Sequence, residues 1–186
     1  MAKSSIYYFI SDVLRCHPGE LGSSFIYASN HHLISKEVIR EIIKDEVKKN
    51  KPEYKILINA LIIQENFLRA LSRASVYEVI EIVDELKVCF TSKYKNVRKK
   101  SSEVILHLFA LLYFEYVIMP GRKDEGKSYL ANFMRVFSKQ DMVEVINLYG
   151  VLYRWILERH GLDVGVGDEE PKKLIVILEK FYSFPV

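Results

Sequence analysis

The longest apolar stretch of the sequence covers residues 104–119, and only His107 and Glu115 interrupt it. Pro120-Gly121 follows directly and ends any helix, because proline cannot continue a helix and glycine favours its C-terminal cap. The stretch is shorter than the ~20 apolar residues that a membrane-spanning helix needs. We therefore expect a central helix over residues 93–119, buried in an all-α domain, and no membrane partner.

Apolar residues recur at helical spacing along most of the chain, and polar caps or prolines separate the periodic segments. Ser35 and Ser138 are candidate N-caps, and single helices are expected over residues 76–90 and 139–160. The pattern predicts an all-α fold of seven or eight helices in antiparallel pairs, arranged as a helical bundle or a short α-solenoid. Residues 24–27 and 174–178 are compatible with either helix or strand.

The chain has 186 residues, 49% of them hydrophobic and 27% charged, which predicts one domain over residues 1–186. Residues 1–34 are a candidate peripheral N-terminal segment, and residues 161–186 are a candidate C-terminal appendage. Two cysteines, Cys16 and Cys89, do not make a disulfide framework, and Asp12 interrupts the first apolar run too early for a secretory signal. We expect reduced thiols and a cytoplasmic protein.

Residues 75–118 carry an ordered pattern over two predicted helices. The second helix opens with the polar, apolar and arginine residues Asn96-Val97-Arg98, continues with Ser101-Ser102, and then shows an apolar face. This hairpin resembles a HEAT-type helical repeat. The resemblance implies stacked antiparallel helix pairs that expose an extended surface to a protein partner. A helical bundle that uses the same hairpin chemistry is the alternative.

A basic run without any acid stands at the start of the central helix, although the net charge of the chain is only +3. Cations at a helix N-terminus oppose the macrodipole, which favours an anionic partner. Lysine and arginine contact phosphates, and tyrosine can stack on a base. The candidate RNA- or DNA-binding residues are Lys93, Tyr94, Lys95, Arg98, Lys99 and Lys100. In the alternative interpretation the run is solvated, and its lysines pair with acids such as Glu81 or Asp84.

A phosphate-loop pattern, G-x-x-x-x-G-K-[ST], occurs once, and its defining residues are Gly121, Gly126, Lys127 and Ser128. In such a loop Lys127 would bind the phosphates of a nucleotide and Ser128 would ligate Mg²⁺. Two acids, Asp124 and Glu125, would face the polyanion, and the pattern needs a preceding strand where a helix is predicted. A charged turn between two helices is the alternative.

Arg154 and His160 have the R-x5-H spacing, which resembles that of HEPN-type ribonucleases, an all-α family that often acts as dimers. The resemblance implies that the arginine stabilises phosphate charge and that the histidine acts in acid–base catalysis. Trp155 stands where the family has a polar residue. Alternatively, both side chains are surface cations close to a helix C-terminus, where positive charge is favourable.

Four candidate zinc ligands, Cys16, His17, His31 and His32, do not have the spacing of a standard finger, and we expect no metal and no cofactor. Cys89 and His107 are predicted core residues, with His107 hydrogen-bonded to a neighbour. The main functional hypothesis is a non-enzymatic interaction or adaptor protein, a small nucleic-acid-associated subunit of a larger complex. It would have a protein partner, with a homo-oligomer left open. A phosphate-loop nucleotide-binding protein and a HEPN-like ribonuclease are the enzyme-class alternatives.

Overall fold

The structure is a computed structural model that describes residues 2–22, 25, 35–69, 73–119 and 125–186. For residues 73–75, 78 and 125–128 it describes the backbone alone. These described parts of the chain consist of helices and turns and contain no β-strand, which confirms the predicted all-α class. Residues 174–178 are helical, whereas residues 24–27 lie outside the described residues except for Phe25.

Ten α-helices are present in the described ranges. In chain order they are α1 (Ser5–Leu14), α2 (Lys36–Val47), α3 (Tyr54–Arg69), α4 (Arg73–Ile80), α5 (Val83–Phe90), α6 (Lys95–Tyr113), α7 (Glu125–Val136), α8 (Lys139–Tyr149), α9 (Tyr153–Arg159) and α10 (Glu170–Tyr182). Two neighbouring pairs, α4 with α5 and α8 with α9, are each one interrupted helix. Counted in this way, the ten become eight, in agreement with the predicted number.

The helix that we expected over residues 76–90 is interrupted by a turn at Glu81-Ile82. The amide of Ile82 bonds to the carbonyl of Val79 at 3.0 Å, three residues back instead of four. β-Branched residues flank the turn on both sides and have a weak helix propensity. The local sequence therefore does little to hold a straight helix against the turn.

The helix that we expected over residues 139–160 is interrupted at Gly150, which has a φ of 73°. Residues with a side chain rarely adopt this left-handed conformation, whereas glycine adopts it freely. A 3₁₀ turn, Gly150–Leu152, then leads into α9. The expected N-cap at Ser138 is confirmed, because its hydroxyl accepts a bond from the amide of Asp141 at 3.1 Å.

The contacts divide the chain into two compact units, Met1–Ser101 and Ser102–Val186, and the boundary falls within α6. In the first unit α2 packs against α1, α3 and α5, and α3 also packs against α1 and α4. A buried asparagine, Asn59, donates from Nδ2 to the carbonyls of Leu14 at 2.8 Å and Cys16 at 3.0 Å. It thereby satisfies carbonyls that the end of α1 leaves without a helical partner. Residues of the predicted N-terminal segment thus take part in the packing of this unit.

The second unit has an aromatic core. The ring centroids of Phe109 and Phe181 lie 4.5 Å apart, those of Phe133 and Phe137 5.2 Å apart, and those of Phe133 and Phe181 5.7 Å apart. All four side chains are fully buried. Because Phe181 belongs to α10, the segment predicted as a C-terminal appendage contributes to this core. The prediction of one domain over residues 1–186 stays a prediction.

The central helix is α-helical only as far as Tyr113 and continues as a π-helical turn, Phe114–Ile118. The amide of Met119 bonds to the carbonyl of Phe114 at 3.1 Å, five residues back. The helical stretch Lys95–Ile118 is long and apolar enough to cross a membrane, but 72% of its most apolar window is buried in the fold. Burial of this extent is typical of a core helix.

Candidate nucleic-acid interface

The predicted basic run lies at the N-terminus of α6, and its first residues face solvent. Lys93 and Lys95 are exposed, and Tyr94 is half-buried between them. The amide of Tyr94 donates to Oγ of Ser92 at 3.2 Å, and Nζ of Lys93 lies 5.1 Å from the Tyr94 ring centroid. The turn before α6 is therefore held by the side chain of Ser92, and both lysine charges remain accessible to a ligand.

Two other cations of the run have structural contacts. A guanidinium nitrogen of Arg98 donates to the carbonyl of Ser92 at 2.8 Å, which braces the turn that carries Lys93. Lys100 pairs with the buried carboxylate of Glu65 on α3 at 2.9 Å, and Arg69 pairs with the same carboxylate at 2.5 Å. Arg98 and Lys100 therefore position the start of α6.

Lys99, the remaining cation of the run, is exposed.

A second basic segment, which the sequence analysis missed, lies beside the first. It is the turn between α2 and α3, with Lys48, Lys49 and Lys51, and Lys55 follows in the first turn of α3. Residues of this turn line the same groove as Lys93 and Tyr94. The sequence signal was the run Lys-Lys-Asn-Lys-Pro, but nothing local to the sequence relates it to the start of α6.

A buried carboxylate fixes the conformation of this turn. Glu46 is 2% exposed and accepts bonds from the amide of Glu53 at 2.6 Å and from Nζ of Lys49 at 2.7 Å. The carboxylate of Glu53 itself pairs with Arg15 at 3.2 Å. The two acids that flank the turn, Glu46 and Glu53, are thus already paired within the fold. We call the exposed or half-exposed lysines Lys48, Lys51, Lys55, Lys93 and Lys95 the basic surface.

Two tyrosines stand next to the basic surface. The rings of Tyr54 and Tyr94 have centroids 5.4 Å apart and planes inclined at 39°. Tyr54 is 38% exposed, so part of the pair faces solvent. Such a pair offers a face on which a base can stack, close to cations that can contact the flanking phosphates.

The groove between the two basic segments has a volume of ≈ 320 Å³. Its apolar wall consists of Val47, Pro52, Leu57, Val88 and Cys89, and its polar rim consists of Asn50, Thr91, Ser92, Lys93 and Tyr94. Burial raises the pKa of the Cys89 thiol to about 12, so this part of the wall stays uncharged. Cys89 is a core residue, as predicted.

The R-x5-H pair does not form an open acid–base site. His160 is 5% exposed, and its Nε2 lies 2.7 Å from Nδ1 of His107, which confirms the predicted hydrogen bond of His107. Burial and the neighbouring charge of Arg159 lower the pKa of His160 to about 3. Arg154 pairs instead with Glu158 at 2.9 Å. His160 is therefore neutral at physiological pH and occupied by a structural contact.

The first half of the phosphate-loop pattern, residues 121–124, lies outside the described residues, which resume at Glu125, the first residue of α7. Gly126, Lys127 and Ser128 belong to the first turn of that helix, and nothing is described of Gly121. The segment before the loop, Phe114–Ile118, is helical, and so are residues 174–178. The described residues thus lack the strand that has to precede a phosphate loop.

The zinc hypothesis finds no support among the residues that can be placed. His17 caps a short 3₁₀ turn, with Nδ1 accepting from the amide of Gly19 at 3.3 Å, and Cys16 is a free thiol. His31 and His32 lie outside the described residues. Within the described ranges, no group of three or more histidine, cysteine or acidic side chains is placed to hold a metal ion.

Comparison with known proteins gives no relative, since no protein family, no curated protein and no solved structure matches this chain.

Proposed function

We propose that the protein is a non-enzymatic adaptor that binds single-stranded RNA or DNA through the basic surface and contacts a protein partner elsewhere. The observation that carries this proposal is the convergence of two basic segments, distant in sequence, on one groove and one partly exposed tyrosine pair. The acids beside them, Glu46 and Glu53, are already paired. A phosphate backbone would supply the missing negative charge.

The tyrosine pair favours a single strand over a duplex. Bases of a single strand are free to leave the stack and lie on an aromatic ring, and this contact tolerates any sequence. Tyr94 stands between Lys93 and Lys95 in the sequence, and Lys55 follows Tyr54, which is the combination of stacking face and cationic track that single-strand binding uses. Duplex DNA would offer the phosphates but not the ring faces.

An exposed apolar cluster in the second unit supports the adaptor part of the proposal. Val151 is 87% exposed, Leu152 57% and Trp155 46%, and Arg159 lies 5.8 Å from the Trp155 ring. Tryptophan and arginine are enriched among the residues that contribute most to protein interfaces. A HEAT-like stacking of helix pairs would add an extended face, and a second copy of the chain is one partner of this kind. The free thiols of Cys16 and Cys89 suit the cytoplasm.

The test measures binding of a labelled single strand of about 12 nucleotides, as RNA and as DNA, by fluorescence anisotropy. The double variant Lys51→Gln with Lys95→Gln removes two charges of the basic surface without touching the core. We expect its affinity to fall by about tenfold or more at ~0.1 M salt, because the variant makes fewer phosphate contacts and therefore releases fewer counterions on binding.

A matched control removes the same net charge from the other unit. Lys172→Gln with Lys180→Gln changes two exposed lysines of α10 and should leave the affinity unchanged. If both double variants lose affinity equally, the basic surface is not the site. If the parent protein binds neither RNA nor DNA, the nucleic-acid part of the proposal is wrong.

A further inference from the structure

We infer that the groove between the two basic segments takes one unstacked nucleobase of the bound single strand, so that the protein has a base pocket in addition to a cationic track. This inference rests on the proposed function. The groove lies within the first unit, between the ends of α2 and α5 and the start of α3. Lys93 and Tyr94 belong both to its rim and to the run that carries the basic surface.

The size of the groove limits its occupant. At ≈ 320 Å³ it stands at the lower end of the range of small-molecule sites, ~300–1,000 Å³. This volume suits one planar ring system and is too small for a helix or an extended peptide. A base that leaves the stack of a single strand is such a ring, covalently joined to the phosphates that the neighbouring lysines attract.

The apolar lining of the groove suits the faces of a base. It comes from two segments, Val47, Pro52 and Leu57 from the end of α2 and the start of α3, and Val88 and Cys89 from α5, and it offers carbon and sulfur atoms to a ring. Burial keeps the Cys89 thiol protonated, so no charge opposes an aromatic ring there. Burying an apolar ring face against these side chains is favourable in proportion to the area removed from water.

The rim of the groove matches the polar edge of a base. Asn50 carries an amide donor and an amide acceptor side by side, the arrangement that pairs with a base edge. Oγ of Ser92 accepts from the amide of Tyr94 at 3.2 Å, which leaves its hydroxyl proton to donate. The hydroxyl of Thr91 donates to backbone carbonyls of α5, at 3.1 Å to Val88, so it can only accept from a ligand. The rim thus offers donors and acceptors at the mouth of an apolar slot.

The contacts outside the groove fix the path of the strand. A base in the groove places its own phosphate at the mouth, where Lys93 lies, and the next base beside the exposed pair of Tyr54 and Tyr94. Lys95 lies on the same turn as Lys93, beyond Tyr94. Pocket, cation and stacking face therefore follow one another in the order base, phosphate and base that a single strand presents.

The experiment compares a labelled single strand with an abasic strand of the same length, which keeps every phosphate and lacks the bases. The parent protein should bind the abasic strand more weakly by about fivefold or more, the loss that one stacked base accounts for. Val88→Trp, at a half-exposed position on the groove wall, fills the groove. It should bring the affinity for the normal strand down towards that for the abasic strand and leave the salt dependence unchanged.

Val176→Trp adds the same side chain at a half-exposed valine of α10 in the second unit and should bind like the parent. If Val88→Trp fails to fold, Asn50→Ala tests the rim from an exposed position. It should reduce the differences in affinity among the four homopolymers.

Three results separate the possible failures. If Val88→Trp and the parent bind the normal strand equally, the groove does not bind a base and would serve another occupant. The proposed function then still stands. Equal binding of normal and abasic strands by the parent overturns the pocket as well. If the parent binds neither strand, the proposed function itself fails.

Discussion

Two imidazole rings, those of His107 and His160, meet in a buried site of the second unit, with Nδ1 and Nε2 at 2.7 Å. One ring has to donate and the other to accept, so only one of these two nitrogens carries a proton. Burial opposes protonation of His160, and the neighbouring ring of His107 and the charge of Arg159 add to this effect on its pKa. The site therefore favours the neutral form of His160.

This geometry predicts a pH-dependent stability. The pKa of His160 is lowered from 6.5 to about 3 in the folded protein. Below pH ~6.5 the unfolded chain binds a proton that the folded chain does not. The free energy of unfolding therefore decreases as the pH is lowered, by up to about 1.4 kcal/mol per pH unit. This contribution is complete above pH ~6.5 and is lost as pH falls towards ~3. Denaturant unfolding at about pH 7, 6 and 5 measures it.

His160→Gln is the control for this prediction, because glutamine can still hydrogen-bond but does not titrate. The variant should show a weaker pH dependence than the parent over the same range, although carboxylates elsewhere keep part of it. If parent and variant have the same dependence, the buried pair does not control stability in acid.

At the scale of helices, a buried carboxylate joins α3 to α6. Glu65 is 3% exposed and pairs with both Lys100 and Arg69. Lys100 was a candidate nucleic-acid contact from its place in the basic run, and its partner Glu65 lies 35 residues away along the chain. The contact explains how the turn that carries Lys93 keeps its place relative to α3.

Glu65→Ala should therefore destabilise the protein. Two cations lose a shared buried partner, but both are partly exposed and can be solvated, so the expected loss is about 1–3 kcal/mol. Chemical denaturation measures it. Glu179→Ala is the comparison, since Glu179 is exposed and makes a surface pair with the exposed Lys139 at 3.8 Å, and it should cost less than about 1 kcal/mol. A smaller loss for Glu65→Ala than for Glu179→Ala would contradict this role.

At the scale of the whole molecule the charge is nearly balanced, with 27 basic and 24 acidic residues. A net charge of +3 cannot by itself attract nucleic acid, so attraction has to come from a local concentration of lysines. The basic surface provides such a concentration on the first unit. Elsewhere, most of the resolved charged side chains are joined in ion pairs and add no local net charge. Salt dependence is the property that reports on such a surface.

We predict that the affinity for a single strand falls steeply with salt. Five phosphate contacts, one for each lysine of the basic surface, give a slope of about −3.5 in a plot of log K against log salt. Lys51→Gln with Lys95→Gln should reduce this slope by about 1.4, and Lys172→Gln with Lys180→Gln should leave it unchanged. Titrations at several NaCl concentrations measure it, and a slope near zero would contradict the proposed contacts.

The sequence by itself determined the helices and most of their ends. Apolar spacing, the N-caps at Ser35 and Ser138, and the boundary before Pro52 act over a few residues, as helix hydrogen bonds do. The same locality explains the errors at Gly150 and Glu81-Ile82, where a continuous apolar period hid a break in the backbone.

Only the tertiary structure decided which residues form the candidate site. The sequence showed the basic run but could not tell that Lys100 turns to Glu65 and Arg98 to its own turn, while Lys93 and Lys95 face solvent. It gave no sign that the turn after α2 adjoins the start of α6, or that His160 meets His107. Such contacts join residues dozens of positions apart. They depend on how helices pack, and packing is set by the whole core and not by any local pattern.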